Sequence, residues 1–256
     1  MKKIVTGIAC LAGIVHAQTV QDLNSLSAYS NEMNAGSARY IGMGGSMGAL
    51  GGDISSIEQN PAGLGVAIAS DVNVTLGLNS FKNEAKFGNS FEAKDNSLMF
   101  QNVGATFVFK PNAGNWNRFS VGIKYSQESL DNWIKLGRNE NIKTSISDSI
   151  GTTNYTMHGY QDQMTGFKSK MSLNFGATYN ERLYLGLGVN MHETQYDNYV
   201  FFDEDTDGEI YRYDLNGSPY SAIGSGISIS AGVIGKVNDN VRLGLAYHSP
   251  VWYGNI

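Results

Sequence analysis

Leu183-Tyr184-Leu185-Gly186-Leu187-Gly188-Val189-Asn190-Met191 is the stretch that decides the fold. Leucine, valine and methionine occupy every second position, and tyrosine, glycine and asparagine lie between them. Successive side chains of a β-strand point to opposite faces, so this pattern predicts a strand with one apolar face and one face of small or polar groups. A helix would need an apolar period near 3.6 residues, which this stretch lacks.

The same alternation recurs six times between residue 72 and the end of the sequence. The other stretches are residues 72–78, 105–109, 119–125, 173–179, 227–233 and 241–247. Strands of about 9–12 residues are the length that crosses a bilayer when tilted, and small residues on the polar face suit a crowded barrel interior. The predicted fold class is therefore all-β, a transmembrane antiparallel β-barrel, with a secreted β-sandwich as the alternative because sandwiches also alternate.

The connections between these strands alternate in length. Residues 112–117, 180–182 and 238–240 are short turns rich in asparagine. Long polar segments, predicted to be loops, lie between them at residues 82–102, 127–170 and 203–221. Short turns at one end and long loops at the other are typical of outer-membrane barrels.

The composition excludes several classes of protein. The 256 residues include 31 glycines, 16% are charged, and the formal net charge is −5, which argues against broad nucleic-acid binding. A hydrophobic fraction of 41% argues against disorder. No apolar run of 18 residues occurs beyond the N-terminus, so the sequence predicts no membrane-spanning helix.

The first 17 residues have the features of a secretory signal peptide. Lys2 and Lys3 precede the apolar residues 4–15, and Val15-His16-Ala17 has the small-x-small form that predicts cleavage after Ala17. The alternatives are a buried N-terminal helix and lipidation of Cys10. Cleavage would remove Cys10 and leave a mature chain without cysteine, so no disulfide is expected.

A resemblance to a known family lies in the glycine-rich part after the signal peptide. The hatch signature of the FadL/TodX family is resembled by residues 38–45 (Ala-Arg-Tyr-Ile-Gly-Met-Gly-Gly), Ala49, Asp53, Ser55 and residues 60–64 (Asn-Pro-Ala-Gly-Leu). Members of this family are outer-membrane transporters of long-chain fatty acids and other hydrophobic compounds. Residues 240–250 also resemble a strand of that family.

The resemblance implies a domain organisation. The family has a fourteen-stranded barrel whose lumen is plugged by an N-terminal hatch. Residues 18–71 would then form the hatch and residues 72–256 the first half of the barrel, with seven strands. Because an open seven-stranded sheet would leave backbone groups unpaired in lipid, we expect this sequence to be the N-terminal part of a longer protein.

The resemblance also implies a set of hatch residues. Transport is attributed to Asn60, Pro61, Ala62 and Gly63, and hatch packing to Arg39, Gly42, Gly44, Gly45 and Asp53. From the residues alone, Pro61 should end a helical turn, and Gly63 and Gly65 should permit a sharp reversal into the first strand. An ordinary helix-stop turn is the alternative interpretation.

Two further groups of side chains are candidates for binding. Phe87, Phe91, Met99 and Phe100 would make the first contact with a hydrophobic ligand on a long loop, or else pack within that loop. Asp203, Asp205 and Asp207, followed by a glycine, match the start of a calcium-binding loop. The twelfth position is Asp214 instead of glutamate, so a solvated acidic loop is the alternative.

The hypothesis from sequence is passive transport of hydrophobic small molecules, such as long-chain fatty acids, across the Gram-negative outer membrane. The expected partners are the ligand and membrane lipid; no enzyme activity, cofactor or nucleic acid is expected, and the oligomeric state is not predicted. Some members of the family act instead in the type IX secretion system, which gives a shuttle role as the alternative. A lipase-like enzyme is the other, because Gly44-Gly45-Ser46-Met47-Gly48 matches a nucleophile elbow, although no strand is predicted before it.

Overall fold

The computed structural model describes residues 20–31, 33, 35–87, 89–111, 114–147, 151–206, 208–215 and 217–255. The predicted signal peptide at residues 1–17 lies outside the described residues. The chain is mostly β, with 68% strand and 10% helix. None of the helices in the described ranges is long and apolar enough to cross a membrane.

Short helices come first among the described residues. They are α1 (Val20–Ser30), α2 (Ala38–Gly42) and two 3₁₀ turns, Ile54–Glu58 and Pro61–Val66. Strands follow, in one antiparallel sheet that curls into the shape of half a barrel. Their bounds are β1 (Asp71–Phe87), β2 (Asn89–Phe109), β3 (Trp116–Ser129), β4 (Asn132–Leu136), β5 (Asn139–Ser147), β6 (Thr152–Tyr179), β7 (Leu183–Thr206), β8 (Glu209–Asp214), β9 (Tyr220–Lys236), β10 (Arg242–His248) and β11 (Trp252–Asn255).

The sheet follows the order of the chain. Hydrogen-bonded neighbours run β1-β2-β3-β6-β7-β9-β10, while β4 and β5 pair with β6, β8 pairs with β7, and β11 pairs with β9. The seven predicted alternating stretches lie on this seven-strand path, apart from Val241, which stands one residue before β10. The antiparallel prediction and the short connections at residues 180–182 and 238–240 are thereby confirmed. In one of those connections, Asn180 and Glu181 adopt φ of 51° and 52°, as a tight reversal requires. Of the predicted turn at residues 112–117, residues 112 and 113 lie outside the described residues and β3 already begins at Trp116.

The predicted long loops are wrong in large part, because strands continue through them. β6 has 28 residues and β7 has 24, and they stay paired from Tyr155↔Thr206 to Tyr179↔Leu183. A backbone ladder needs no apolar face, because its hydrogen bonds join main-chain groups whatever the side chains are. Threonine and tyrosine, which favour strands, are frequent in these extensions. The alternation of hydrophobicity therefore ends before the strands do.

The two faces of the sheet differ in chemistry and in burial. One face, here called the inner face, carries small and polar residues and contacts the N-terminal part of the chain; Lys124, Asn174 and Thr178 on it are buried. The other, the outer face, carries large apolar side chains that are exposed. Among them are Val74, Leu78, Phe107, Ile123, Phe175, Leu185, Leu187, Val189, Ile227, Leu243 and Leu245. This distribution is the reverse of a soluble β-sandwich, whose apolar faces pack against each other.

Candidate functional site

The candidate site is the contact between residues 35–67, called the N-terminal segment below, and the inner face of the sheet. The segment contains α2 and both 3₁₀ turns, and the second turn packs against β3, β6, β7 and β9. Ile54, Ile57 and Leu64 form a small buried apolar cluster inside the segment. The cluster also touches the sheet, since a Cβ at Gly122 on β3 would lie 2.8 Å from Ile54 and 3.0 Å from Leu64. The segment therefore reaches the inner face through apolar side chains as well as through polar and small groups.

Asn60 joins the segment to two strands. Its side-chain oxygen accepts from the N–H of Ala62 at 2.9 Å, which makes it the N-cap of the second 3₁₀ turn. Its amide nitrogen donates to the carbonyl oxygens of Gly48 at 2.8 Å, Val233 at 3.3 Å and Leu245 at 3.4 Å. Because Asn60 is only 1% exposed, these bonds are shielded from water. An asparagine is suited to this position because its amide both accepts and donates.

Pro61 and the glycines after it have a role different from the predicted one. The first 3₁₀ turn ends at Glu58, in agreement with the helix-stop prediction, but Pro61 then starts the second turn, where its missing N–H costs nothing. Gly63 and Gly65 lie inside that turn and make no sharp reversal. A Cβ on Gly65 would lie 2.7 Å from the carbonyl oxygen of Ala177. These glycines serve close packing.

Three glycines on the inner face receive this turn. Gly176, Gly186 and Gly232 pair with one another across β6, β7 and β9 and are called the glycine row below. A Cβ at Gly186 would overlap the main chain of Pro61, and one at Gly232 would overlap the side-chain oxygen of Asn60. Gly176 and Gly186 let the backbone of the segment lie directly on the backbone of the sheet, and Gly232 makes room for the side chain of Asn60.

The predicted packing residues divide into two groups. Asp53 braces the segment: its carboxylate accepts from the N–H of Ser55 at 2.7 Å and from the hydroxyl of Ser37 at 2.8 Å. Gly44 and Gly45, with φ of 59° and 74°, turn the chain after α2. Two other predicted residues face away from the sheet, since Arg39 is exposed and a Cβ at Gly42 would meet no atom within 4 Å.

Glu58 is the charged group of the segment that meets the sheet. Its carboxylate pairs with the ammonium of Lys124 on β3 at 2.7 Å and with that of Lys170 on β6. We call these three residues the ion triad; their side chains are 6%, 0% and 16% exposed. Burial opposes ionisation of Glu58, but the two ammonium groups more than offset it and lower the pKa of the carboxyl to about 2. Glu58 is therefore ionised at neutral pH.

A cavity of about 250 Å³ lies beside the ion triad, between the segment and the inner face. Glu58, Lys170, His192 and His248 contribute charged or polar groups to its lining, and Tyr29, Met33, Val251 and Tyr253 contribute apolar surface. Its polar groups are partly engaged: Nε2 of His192 lies 2.8 Å from the hydroxyl of Ser228, and Lys168 donates to the carbonyl of Asn31 at 2.7 Å. The sequence did not single out this space.

The aromatic and methionine residues predicted to make the first contact do not lie on a loop. Phe91, Met99 and Phe100 are in β2, and the side chain of Phe87 lies outside the described part of the structure. Phe91 packs near Gly137, whereas Phe100 stacks on Tyr125 of β3 with ring centroids 6.4 Å apart. The three described side chains are spread along one strand and do not form a common patch.

A different apolar concavity lies among the strand extensions. It has a volume of about 450 Å³ and is lined by residues of β5, β6, β7 and β8. The lining residues are Ile142, Tyr155, Thr156, Met157, Phe202, Glu204 and Tyr213. Tyrosine, phenylalanine and methionine make such a surface suitable for an apolar ligand.

The acidic residues predicted as a calcium loop are engaged by arginine. Asp203 accepts a bidentate pair from Arg212 at 2.7 and 2.9 Å, and Asp205 pairs with Arg138 at 3.0 Å. Asp207 lies outside the described residues. Within the described ranges, no three His, Cys, Asp or Glu side chains are placed to hold a metal ion. Calcium binding stays a prediction.

Ser46 follows the helical turn α2, and no strand precedes it among residues 35–45, so the context of a nucleophile elbow is not present there.

Comparison of the chain with protein-family models, with curated proteins and with solved structures gives no match. The chain is therefore described by its own geometry: a curled antiparallel sheet with an apolar outer face and an N-terminal segment fixed to a polar inner face.

Proposed function

We propose that this chain forms the wall and the hatch of an outer-membrane β-barrel that transports hydrophobic small molecules passively. The resemblance of residues 38–64 to the FadL/TodX hatch signature suggests the family, and long-chain fatty acids are the ligand class that it implies. In this proposal seven strands are half of a fourteen-stranded barrel, the N-terminal segment is the hatch, and the signal peptide directs export.

The observation that carries the proposal is the apolar outer face. Leu78, Leu187 and Leu245 are 81%, 62% and 73% exposed, and many neighbours on the same face are similarly exposed. Soluble proteins rarely leave so large a continuous apolar surface in water, whereas lipid covers such a surface without cost. The polar inner face supports the same arrangement, since residues that face the interior of a membrane barrel alternate along each strand with residues that face lipid.

The second support is the fit of the N-terminal segment. Backbone-to-backbone contact at the glycine row leaves little room for water between Pro61 and β7. A segment seated in this way would keep the barrel closed to hydrophilic solutes. A hydrophobic ligand would then need a path that bypasses the segment or moves it.

The apolar concavity is our proposed point of first contact. It takes the place of the predicted Phe91, Met99 and Phe100 set, because its residues come from four strands and line one space. Ligand captured there would reach the cavity beside the segment next. The mixed lining of that cavity suits an amphipathic molecule with one polar end.

The test is gene deletion and complementation in the native host. We expect deletion to lower the uptake of labelled long-chain fatty acid several-fold, while surface-attached exported proteins stay in place. Loss of those proteins with normal uptake would instead reject transport and favour the type IX secretion role. Uptake and surface attachment both unchanged would contradict both.

A matched pair of variants tests the point of first contact. Phe202→Ala removes a ring from the apolar concavity and should slow uptake. Phe201→Ala removes the neighbouring ring from the opposite face of β7, where the guanidinium of Arg212 lies 3.8 Å above it. Equal uptake by the two variants would argue against capture at this concavity.

A further inference from the structure

We propose that the ion triad is an electrostatic latch that holds the N-terminal segment against the barrel wall, and that breaking it opens a path for water and hydrophilic solutes. The inference rests on the proposed function, because a latch needs a closed barrel to open. The residues that it assigns are Glu58 on the segment and Lys124 and Lys170 on the wall.

The first argument is where the latch connects. Lys124 pairs with Glu58 at 2.7 Å and also donates to the carbonyl oxygen of Ala35 at 3.2 Å. It therefore holds two points of the segment that are 23 positions apart in the sequence. Lys170 pairs with Glu58 from the neighbouring strand β6. In the β3–β6 ladder Lys170 lies opposite Ser126, which is two residues from Lys124. One carboxylate thus ties the segment to two adjacent strands.

The second argument is energetic. Burying an ion pair costs desolvation that roughly cancels its Coulombic gain, whereas removal of one partner leaves an uncompensated buried charge. Such a contact therefore defines one closed position of the segment but adds little net stability to it. The stability of the closed position depends strongly on the carboxylate of Glu58. Without it, the two ammonium groups would remain close together as like charges.

The third argument is access. The cavity of about 250 Å³ is lined by Glu58 and Lys170, whereas Lys124 is not part of its lining. Water entering the cavity can solvate the Glu58–Lys170 pair first, since Lys170 is the more exposed of the two lysines. An ionic contact can be re-solvated in this way, which an apolar seal cannot.

The experiment measures ion conductance of the purified full-length protein in planar lipid bilayers. Wild type should conduct rarely. Glu58→Gln, which keeps the side-chain volume and removes the charge, should raise the mean conductance at least about tenfold, as loss of one partner from a buried ion pair would predict. Lys170→Met, which leaves the Glu58–Lys124 pair in place, should give a smaller rise.

A double-mutant cycle separates pairing from mere packing. With Glu58→Gln alone, the ammonium groups of Lys124 and Lys170 stay close together as like charges, so adding Lys170→Met should lower the conductance below that of Glu58→Gln. Glu92→Gln is the matched control, because it breaks an exposed pair with Lys82, also 2.7 Å long, outside the segment. It should leave conductance unchanged.

The outcomes are distinguishable. If folded Glu58→Gln, identified by its heat-modifiable mobility on a gel, stays as closed as wild type, the latch is refuted. The same holds if the double variant Glu58→Gln with Lys170→Met conducts as much as Glu58→Gln or more. If Glu58→Gln yields no folded protein, Lys170→Met decides, because a conductance no higher than that of wild type would refute the latch. Wild type that fails to insert into bilayers would contradict the proposed function itself.

Discussion

At the scale of single residues, Asn60 and Glu58 hold the N-terminal segment by different chemistry. The side-chain amide of Asn60 accepts a hydrogen bond from a backbone N–H through its oxygen and donates to several carbonyl oxygens through its nitrogen. Glu58 uses a full charge that two lysines compensate. The resemblance implied the first residue, whereas neither periodicity nor resemblance pointed to the second.

Asn60→Ala should destabilise the protein measurably. Loss of an N-cap costs about 1 kcal/mol, and loss of the hydrogen bonds that the amide donates to carbonyl groups adds about 1 kcal/mol. Urea unfolding of the refolded protein, followed by tryptophan fluorescence, measures the change in the free energy of unfolding. Asn240→Ala, in an exposed turn, is the control and should change it by less than about 0.5 kcal/mol. A similar loss in both variants would contradict the anchoring role of Asn60.

The ion triad should be insensitive to pH over the physiological range. The pKa of Glu58 is lowered from 4.5 to about 2, so its stabilising effect is complete above about pH 4.5 and is lost as the pH falls towards 2. Conductance of the wild-type protein should therefore stay low from pH 8 to about pH 4 and rise only in stronger acid. Opening between pH 7 and 5 would contradict control of closure by Glu58.

At the scale of elements, the glycine row explains how the second 3₁₀ turn and three strands come together. The turn presents its main chain to β6 and β7, and the side chains of Asn60 and Pro61 lie against β9; the absent side chains of the glycine row provide the space. A short turn of six residues has little surface of its own, so its position depends on this close approach and on the cap at Asn60.

Gly186→Ala should displace the turn. The added methyl would overlap the main chain of Pro61 and Ala62, and overpacking of this kind costs about 1–3 kcal/mol. Gly235→Ala is the matched control on β9, because its Cβ would meet no atom within 4 Å. Thermal unfolding of the two variants checks the prediction, and equal melting temperatures would show that the turn does not rest on Gly186.

At the scale of the whole molecule, the apolar outer face and the polar inner face are the two sides of one sheet, and each side has different surroundings. Along β7, alternate residues from Leu183 to Met191 are exposed, and those between them are buried. In the proposed barrel the exposed series faces lipid.

Extraction of the protein from membranes should accordingly need detergent. Release by salt alone as a dissolved monomer would contradict the membrane assignment.

Leu187→Arg should impair insertion into a bilayer. An arginine on the lipid-facing side near the midplane of a barrel costs about 2–4 kcal/mol. Ile210→Arg is the matched control, because Ile210 is similarly exposed, at 56% against 62%, but lies on β8 among the strand extensions. Folding into vesicles, followed by heat-modifiable gel mobility, should fall for the first variant and not for the second. Equal insertion of both would argue that the outer face does not touch lipid.

The sequence by itself determined the seven strands of the main path, their antiparallel order and the short turns between them, because these depend on neighbouring residues and on a period of two. The period also predicted which side chains share a face. It could not predict how far β6 and β7 extend, since backbone pairing continues where the alternation stops.

Tertiary structure alone decided which inner-face residues meet the N-terminal segment. Glu58 and Lys170 are 112 positions apart, and Asn60 and Leu245 are 185 apart, so no local pattern joins them. Gly186 and Gly188 look alike in the sequence, but only the first would overlap the main chain of Pro61. The curl of the sheet and the path of the segment bring these groups together, because both depend on packing between distant parts of the chain.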